Sequence, residues 1–212
     1  LKDKLSGYSM LKEVAEDLST VLSLNDINNL IIEYVLKMLK KEGRAFLFTV
    51  DVERQELTLS AAKDGQGPLR VKTKKGDPFD HWVFKYRKPL IIEDVTKDFR
   101  FSTESVEEAK TVFRSLIAAP LVSENRIMGV LRMDNANECV YTQDDLRLLD
   151  IISDLGAVAI QNAILYARIQ QLAIRDGLTG LFLRRYFMER LPEEIKRAAR
   201  SKASLSLLML DI

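Results

Sequence analysis

One histidine, one cysteine and an aspartate at the end of an apolar run are the most chemically distinctive side chains in this 212-residue sequence. His81 stands beside Trp82 in the segment Asp77-Pro78-Phe79-Asp80-His81-Trp82. An imidazole there could ligate haem or contact an anion, or simply be a structural residue of a helix. Cys139 could attach a bilin, although it lies between a strand and a helix with no histidine adjacent. Asp211 closes the run Leu205-Ser206-Leu207-Leu208-Met209-Leu210. A carboxylate at the end of a central strand is well placed to hold Mg²⁺ against triphosphate oxygens; its plainer use is to cap the following loop. Phe79, His81, Trp82, Phe99, Phe101 and Phe113 could line an apolar pocket, or the aromatic rings could fill it. The lysines within 72–75 and the pair Arg184-Arg185 read as solvated faces or local ion pairs.

These residues must be carried by an alternation of helices and hairpins. Leu11, Val14, Leu18, Val21 and Leu22 recur at helical spacing and predict a helix over 5–23. Ser23-Leu24-Asn25-Asp26 breaks it, and Asn25 or Asp26 is expected to cap a second helix over 26–41. The period then shortens. Runs 45–50 and 56–61 read as a hairpin turning through 51–55, with a loop at 63–68 and a short edge strand at 69–72. Asp77-Pro78 is a cap and first-turn pair for a helix over 78–87. A strand at 89–92, a loop from Asp98 and a small helix at 104–111 follow. A second hairpin joins 115–122 to 127–133, and a helix runs from Thr142 to about Arg175, with Gly156 its one weak helix former. Hairpins imply an antiparallel sheet, so the fold class is α+β: a central antiparallel sheet flanked by helices.

Composition narrows the function classes. The sequence is 47% hydrophobic and 30% charged, as in ordinary globular domains. Thirty-two basic residues balance 31 acidic ones, so no global field draws the chain to nucleic acid or anionic lipid. A single cysteine excludes an internal disulfide framework and fits a cytoplasmic location. No unbroken apolar run is long enough for a membrane span. Because the chain starts at Leu1 without Met and breaks off on a strand-like run, it is expected to be cut from a longer protein at both ends.

Three segments carry a family resemblance: "DPFDHWVFKYRKPLIIEDV" (77–95), "SLIAAPLVSENRIMGVLRMDNA" (115–136) and "YTQDDLRLLDIISDLGAVAIQNA" (141–163). In this order and spacing they resemble a GAF domain over 24–165. The resemblance implies a small regulatory module whose sheet carries terminal helices on one face and a roofed pocket for an unknown small molecule on the other. Cyclic-nucleotide GAF domains carry an Asn-Lys…Phe-x-x-x-Asp-Glu signature, which Asn135-Ala136 and Tyr141 with Asp144-Asp145 match poorly. "DGLTGLFLRRYF" (176–187) resembles the opening of a GGDEF domain, the catalytic unit of diguanylate cyclases, through Asp176, Leu178, Thr179, Gly180, Leu181, Arg184 and Arg185, with Leu183 in place of the usual Asn. This second resemblance covers only 176–212, an incomplete N-terminal fragment without the phosphate-binding loop or the family signature. It implies Mg²⁺ and GTP for the complete domain, with Asp211 as a metal ligand, and leaves this chain without an active site of its own. Within it, Leu178 and Leu181 are expected to pack beneath the turn. Phe187, Leu191, Ile195 and Ala198 should give a buried helical stripe, kinked or restarted at Pro192, and 204–212 a strand.

The long helix also carries a heptad pattern. Leu148, Ile151, Leu155, Val158, Asn162, Leu165, Ile169 and Leu172 alternate three and four apart. A single Asn at an a-type position fixes register and two-strandedness in a parallel coiled coil. Leu148 to Val158 is expected to pack on the chain's own sheet, and the remainder to need a second copy. The expected assembly is a homodimer with the seam Leu155, Val158, Asn162, Leu165, Ile169 and Leu172, the 1–23 segment joining the bundle. The expected function is the sensory part of a diguanylate cyclase, converting two GTP to cyclic-di-GMP, with helix 142–175 setting the geometry of the catalytic domains. The alternatives are a binding module whose GGDEF domain is a degenerate nucleotide receptor, and a GAF-controlled transcription regulator, against which the Asp176 motif argues.

Overall fold

In a computed structural model, residues 2–51, 56–69, 75–101, 113–176 and 178–210 are described. The 52–55 turn, most of the 69–72 edge strand, the 104–111 helix and Asp211 lie outside these residues. The chain divides into two units, Leu1–Ile164 and Leu165–Ile212.

The first unit is built on six antiparallel strands: β1 (Arg44–Asp51), β2 (Glu56–Asp64), β3 (Gly67–Pro68), β4 (Leu90–Ile92), β5 (Ser115–Ser123) and β6 (Arg126–Asn135). Their order is β3-β2-β1-β6-β5-β4, so the two long hairpins meet through β1 and β6 at the centre. Side chains alternate between two apolar layers. Ala45 and Leu47 of β1, Ile117, Ala119 and Leu121 of β5, and Leu131 and Met133 of β6 face one layer. Phe46 and Phe48, Leu116 and Ala118, and Val130 face the other. Because both faces are covered, these strands read as nearly continuous apolar runs rather than as alternating ones.

Helices α1 (Lys2–Thr20), α2 (Leu24–Leu39) and the start of α4 (Gln143–Ile174) supply the first layer, with Val14, Leu18, Ile27, Ile31, Val35, Leu149, Ile152 and Ile160 fully or almost fully buried. Helix α2 begins two residues before the expected position. Ser23, not Asn25 or Asp26, occupies its N-cap, and no side-chain cap bond forms there. Helix α4 starts on a reciprocal cap: Thr142 N–H donates to Asp145 Oδ2 at 2.7 Å, and Asp145 N–H donates to Thr142 Oγ1 at 3.3 Å. Gly156 allows α4 to pass close to α2, since a Cβ there would lie 2.7 Å from Ile31 Cδ1. Among the described residues, Gln143–Gln170 is long and apolar enough overall to cross a membrane. The sequence reading missed this because polar residues interrupt the run. One face of that stretch lies in the core of this unit, which accounts for much of its apolar content.

Gly129 of β6 sets the closeness of the central strand pair. It stands opposite Thr49 of β1, and a Cβ there would fall 2.1 Å from the Phe48 carbonyl oxygen. A backbone oxygen cannot swing aside without opening the β1–β6 ladder. Gly129→Ala is therefore expected to destabilise the domain by about 3 kcal/mol or more, read as a lower urea midpoint.

The second unit contains a turn, helix α5 (Arg184–Ser201) and an extended tail. Several expectations fail within it. No residue of α5 is buried: Phe187 is 41% exposed and Ile195 51%. The helix continues through Pro192 rather than restarting there. Residues 203–210 form no strand, and Leu205, Leu207, Leu208, Met209 and Leu210 are exposed. An apolar run becomes a strand only when a neighbour takes its backbone hydrogen bonds, and 203–210 finds none among the described residues.

Candidate functional site

Helix α3 (Pro78–Tyr86) covers the second apolar layer. The sequence starts it firmly. Pro78 occupies the first turn, the Asp77 carboxylate accepts from the Phe79 and Asp80 N–H groups, and the Asp80 carboxylate accepts from the Asp77 N–H. The cap expected from Asp77-Pro78 is thus present, with Asp80 as a partner not foreseen.

Three of the six candidate pocket residues come together beneath this helix. Phe79 is fully buried, its ring centroid 4.5 Å from Phe101 and 5.8 Å from Phe113. At these distances the rings pack on one another, so they fill the layer. Trp82 lies at its margin, 4.9 Å from Tyr86, with the Arg100 guanidinium 5.8 Å from its ring. The other two do not join these rings. Phe99 is 96% exposed, and exposed His81 has Nδ1 2.8 Å from its own helix's Asp77 carbonyl. A polar turn, Asp98 to Arg100, holds Phe99 outward, with the Arg100 guanidinium bonded to both oxygens of Asp98.

The same face holds charges that the sequence reading missed. Arg132 of β6 is buried with its guanidinium 4.9 Å from the Phe46 ring and 5.1 Å from Phe113. Its Nη1 donates to Asp77 Oδ2 at 2.6 Å and to Asp80 Oδ2 at 2.9 Å, and its Nη2 to Asp134 Oδ2 at 3.1 Å. Arg44 Nε closes the chain on Asp134 Oδ1 at 2.7 Å. Burial pushes the Asp80 and Asp134 carboxyls above the ordinary carboxylate range, against the opposing pull of Arg132. A signal for this cluster lies in Val130-Leu131-Arg132-Met133-Asp134: two opposite charges two apart in a strand share a face, and the neighbouring residues are apolar.

A separate open groove of about 400 Å³ is bordered by Asp94, Lys97, Phe99, Arg100, Glu138 and Cys139. Its charges pair with one another. Asp94 accepts from Arg114 Nη2 at 2.7 Å and from Thr96 Oγ1 at 2.8 Å, and Lys97 lies 3.0 Å away. The Arg114 guanidinium holds the Asp94 carboxyl far below the usual range. Cys139 is exposed beside it. Among the described residues, no three His, Cys, Asp or Glu side chains are placed to hold a metal ion.

Helix α4 contributes a third feature. Its buried residues Leu149, Ile152, Gly156, Ile160 and Ala163 are offset from the heptad seam. Ile151 (43%), Val158 (51%), Leu165 (48%) and Ile169 (64%) are therefore exposed, as is Asn162, while Leu148 and Leu155 are half-buried. The expectation that Leu148 to Val158 packs on the chain's own core holds for Leu148 and Leu155 and fails for Ile151 and Val158. At 3.6 residues per turn, Ile151, Val158 and Leu165 stand two residues, or about 200°, on from the buried Leu149, Gly156 and Ala163, so one stripe faces inward and the other outward. The side chain of Leu172 lies outside the description.

After α4, the Asp176 carboxylate Oδ1 accepts from Leu178 N–H, Thr179 N–H and Thr179 Oγ1. Gly180, at φ +69°, donates to the Asp176 carbonyl, and Arg175 lies 4.2 Å over the Phe182 ring. The turn is closed by polar bonds. Leu178 (98% exposed) and Leu181 (69%) face outward and do not pack beneath it. At the N-cap of α5, Leu183 makes no side-chain bond.

A two-layered six-stranded antiparallel sheet with α1, α2 and α4 on one face and α3 on the other suits one regulatory family, and the GAF domain family model matches residues 21–161. The chain belongs to the GAF domain family. The GAF domain from the Acinetobacter phosphoenolpyruvate-protein phosphotransferase superimposes with a TM-score of 0.62 at 15% identity, covering 77% of this chain and 98% of that one. Free methionine-R-sulfoxide reductase from Neisseria meningitidis does so with a TM-score of 0.56 at 19% identity, covering 74% and 91%. Both likenesses concern the fold. In sequence, the chain is 22% identical over 182 residues (79% of the chain) to the probable 3',5'-cyclic phosphodiesterase pde-5 of Caenorhabditis elegans. It is 25% identical over 175 residues (81%) to the formate hydrogenlyase transcriptional activator FhlA of Escherichia coli. It spans about a quarter of the length of these two relatives, at 24% and 23%. The GAF domain is a regulatory, sensory module of signalling proteins, and this chain carries one.

Proposed function

We propose that this chain is the sensory and dimerising part of a cytoplasmic diguanylate cyclase, and that α4 connects the GAF domain to the catalytic domain that begins at Asp176. The observation that carries this reading is the apolar seam Ile151, Val158, Leu165 and Ile169, left in water by a helix whose opposite face is already in the core. A second copy running parallel covers it and pairs Asn162 with its own counterpart. An antiparallel copy would set Asn162 against an aliphatic d-type residue of the seam and leave its amide unpaired. The heptad spacing continues to the self-closed Asp176 turn, which starts α5 at Arg184. A cyclase of this kind needs two GTP-loaded sites facing each other, since each 3′-hydroxyl attacks the other nucleotide's α-phosphate. Two parallel helices would set how those sites meet.

The signal enters at the α3 face. Its rings fill the layer, so a small molecule that occupies it must displace α3 or the Phe101 segment. A ligand that binds the displaced form more tightly shifts the population by its differential affinity, typically about 1–3 kcal/mol. The test is the product of the natural gene, read past Ile212 and incubated with Mg²⁺ and GTP. Cyclic-di-GMP is the expected product, and its rate should change when residues 1–141 are removed. GTP binding without turnover would make the second unit part of a nucleotide receptor instead, and the absence of both would overturn the assignment.

A further inference from the structure

The cluster around Arg132 has an uneven charge count. Asp77, Asp80 and Asp134 supply three carboxyls, and Arg132 and Arg44 supply two guanidiniums. The Asp80 and Asp134 side chains are fully buried, those of Arg132 and Asp77 are 6% and 17% exposed, and that of Arg44 is 32% exposed. With every group ionised, this enclosed cluster would hold an unbalanced negative charge, which a protein interior tolerates poorly.

The hydrogen bonds show which carboxyl can relieve it. Both oxygens of Asp134 accept from guanidinium groups. Asp77 Oδ2 accepts from Arg132, and its Oδ1 accepts from the Phe79 and Asp80 N–H groups. Asp80 Oδ2 accepts from the Asp77 N–H and from Arg132. Asp80 Oδ1 is buried without a partner. Of the six carboxyl oxygens it alone receives no donor among the described residues, and so it has room for a proton of its own.

Among the described residues, the charged or titratable groups around the cluster are few. Asp77 faces Asp80 from the start of α3, and Arg132 and Asp134 face it from β6. Arg44 lies beyond Asp134 on β1, and the Tyr141 hydroxyl, itself buried and unpartnered, stands ahead of α4. The Lys75–Glu56 pair nearby is exposed. Arg132 and the N-terminus of α3 favour an ionised Asp80, while complete burial opposes it.

We propose that this cluster is built to hold one proton, on Asp80 Oδ1, and that losing it releases the first turn of α3 from β6, so that the α3 face of the domain responds to pH. Asp77 and Asp80 share one nitrogen, Nη1 of Arg132. While Asp80 is neutral, one guanidinium serves both. Once it ionises, two buried anions compete for that nitrogen, and α3 gains by moving toward water. A carboxyl that keeps its proton in the fold contributes stability that is complete below the ordinary carboxylate range and is lost as pH rises through its raised value. Raising the pH through that value therefore loosens α3.

Carbon-13 carboxyl NMR of the whole chain tests the protonation directly. At about pH 7, one aspartate carboxyl should keep a neutral-acid shift and vanish in Asp80→Asn. If every aspartate carboxyl is ionised there, the proposal fails, whether or not the variant folds. Asp80→Asn mimics the neutral form, so near pH 6 it should melt within about 3 °C of wild type and become relatively more stable toward about pH 9. A loss of about 10 °C or more at every pH would mean that a buried ion pair had been broken, and would overturn the assignment. Amide exchange of α3, corrected for the intrinsic pH dependence, should accelerate with pH in wild type and not in Asp80→Asn. Equal behaviour in both would sink the release of α3. None of these readouts depends on the cyclase assignment.

Discussion

With Val158 and Ile169 both replaced by glutamate, the chain is expected to run as a monomer by light scattering at tens of micromolar, where the wild type runs as a dimer. Both side chains are more than half exposed in the single chain. Their replacement should therefore leave the domain's own melting transition nearly unchanged, which separates loss of association from loss of folding. Burying an aliphatic side chain of this size contributes about 1.5–3 kcal/mol, and a parallel pair would bury four of them. Replacing these by four carboxylates, two facing two, also adds repulsion. Association should weaken at least about 100-fold, beyond the range of the measurement. Asn162→Leu should have the opposite character: tighter association with poorer control of register, seen as higher oligomers or mixed orientations. A wild-type chain that is monomeric at this concentration would remove the basis for the proposed coupling.

Arg132→Met is expected to be the most damaging single substitution on the α3 face. Methionine fills much of the same volume among Phe46, Phe48 and Phe113, so packing is largely kept while the charge goes. Asp77 loses its only guanidinium, Asp134 keeps Arg44 alone, and Asp80 loses one of its two donors. Removing one side of a buried ion pair typically costs about 3–5 kcal/mol, or about 10 °C in melting temperature for a chain of this size. The loss should shrink on acidification, because carboxyls deprived of the guanidinium take up protons more readily and the stranded charge disappears. Arg132→Lys should recover little, since one ammonium cannot reach all three carboxyl groups with the geometry of a planar fork. Variants that melt like wild type would mean that the cluster contributes no net stability.

The sequence alone was informative where physics is local. Helix starts depend on residues close in sequence, and Asp77-Pro78 and the span of α4 were legible. The two hairpins were equally clear, because four apolar runs with short connections have few ways to pair. The aromatic residues of the α3 face were recognised as a group but not sorted. Phe99 and Phe101 are two residues apart, yet one is in water and the other in the core, and only the path of the backbone through Asp98 to Arg100 separates them. His81 was singled out for its chemistry, while Asp80, one residue earlier, was passed over as part of an ordinary helix start.

What the sequence by itself determined was the kind of module: its α+β class, its two hairpins, and a long helix with a heptad stripe, all set by periodicities that act within a few residues. Only the tertiary structure decided which stripe of that helix faces the sheet, because apolar residues occupy two opposite faces of it and packing against Ile31 at Gly156 selects between them. It also decided that Arg132 meets Asp77 and Asp80, more than 50 residues earlier in the chain. A charge reads as a surface residue until the fold supplies partners from a distant element, here the first turn of α3. Its burial depends on those partners, and the local pattern around Arg132 records Asp134 but not Asp77 or Asp80.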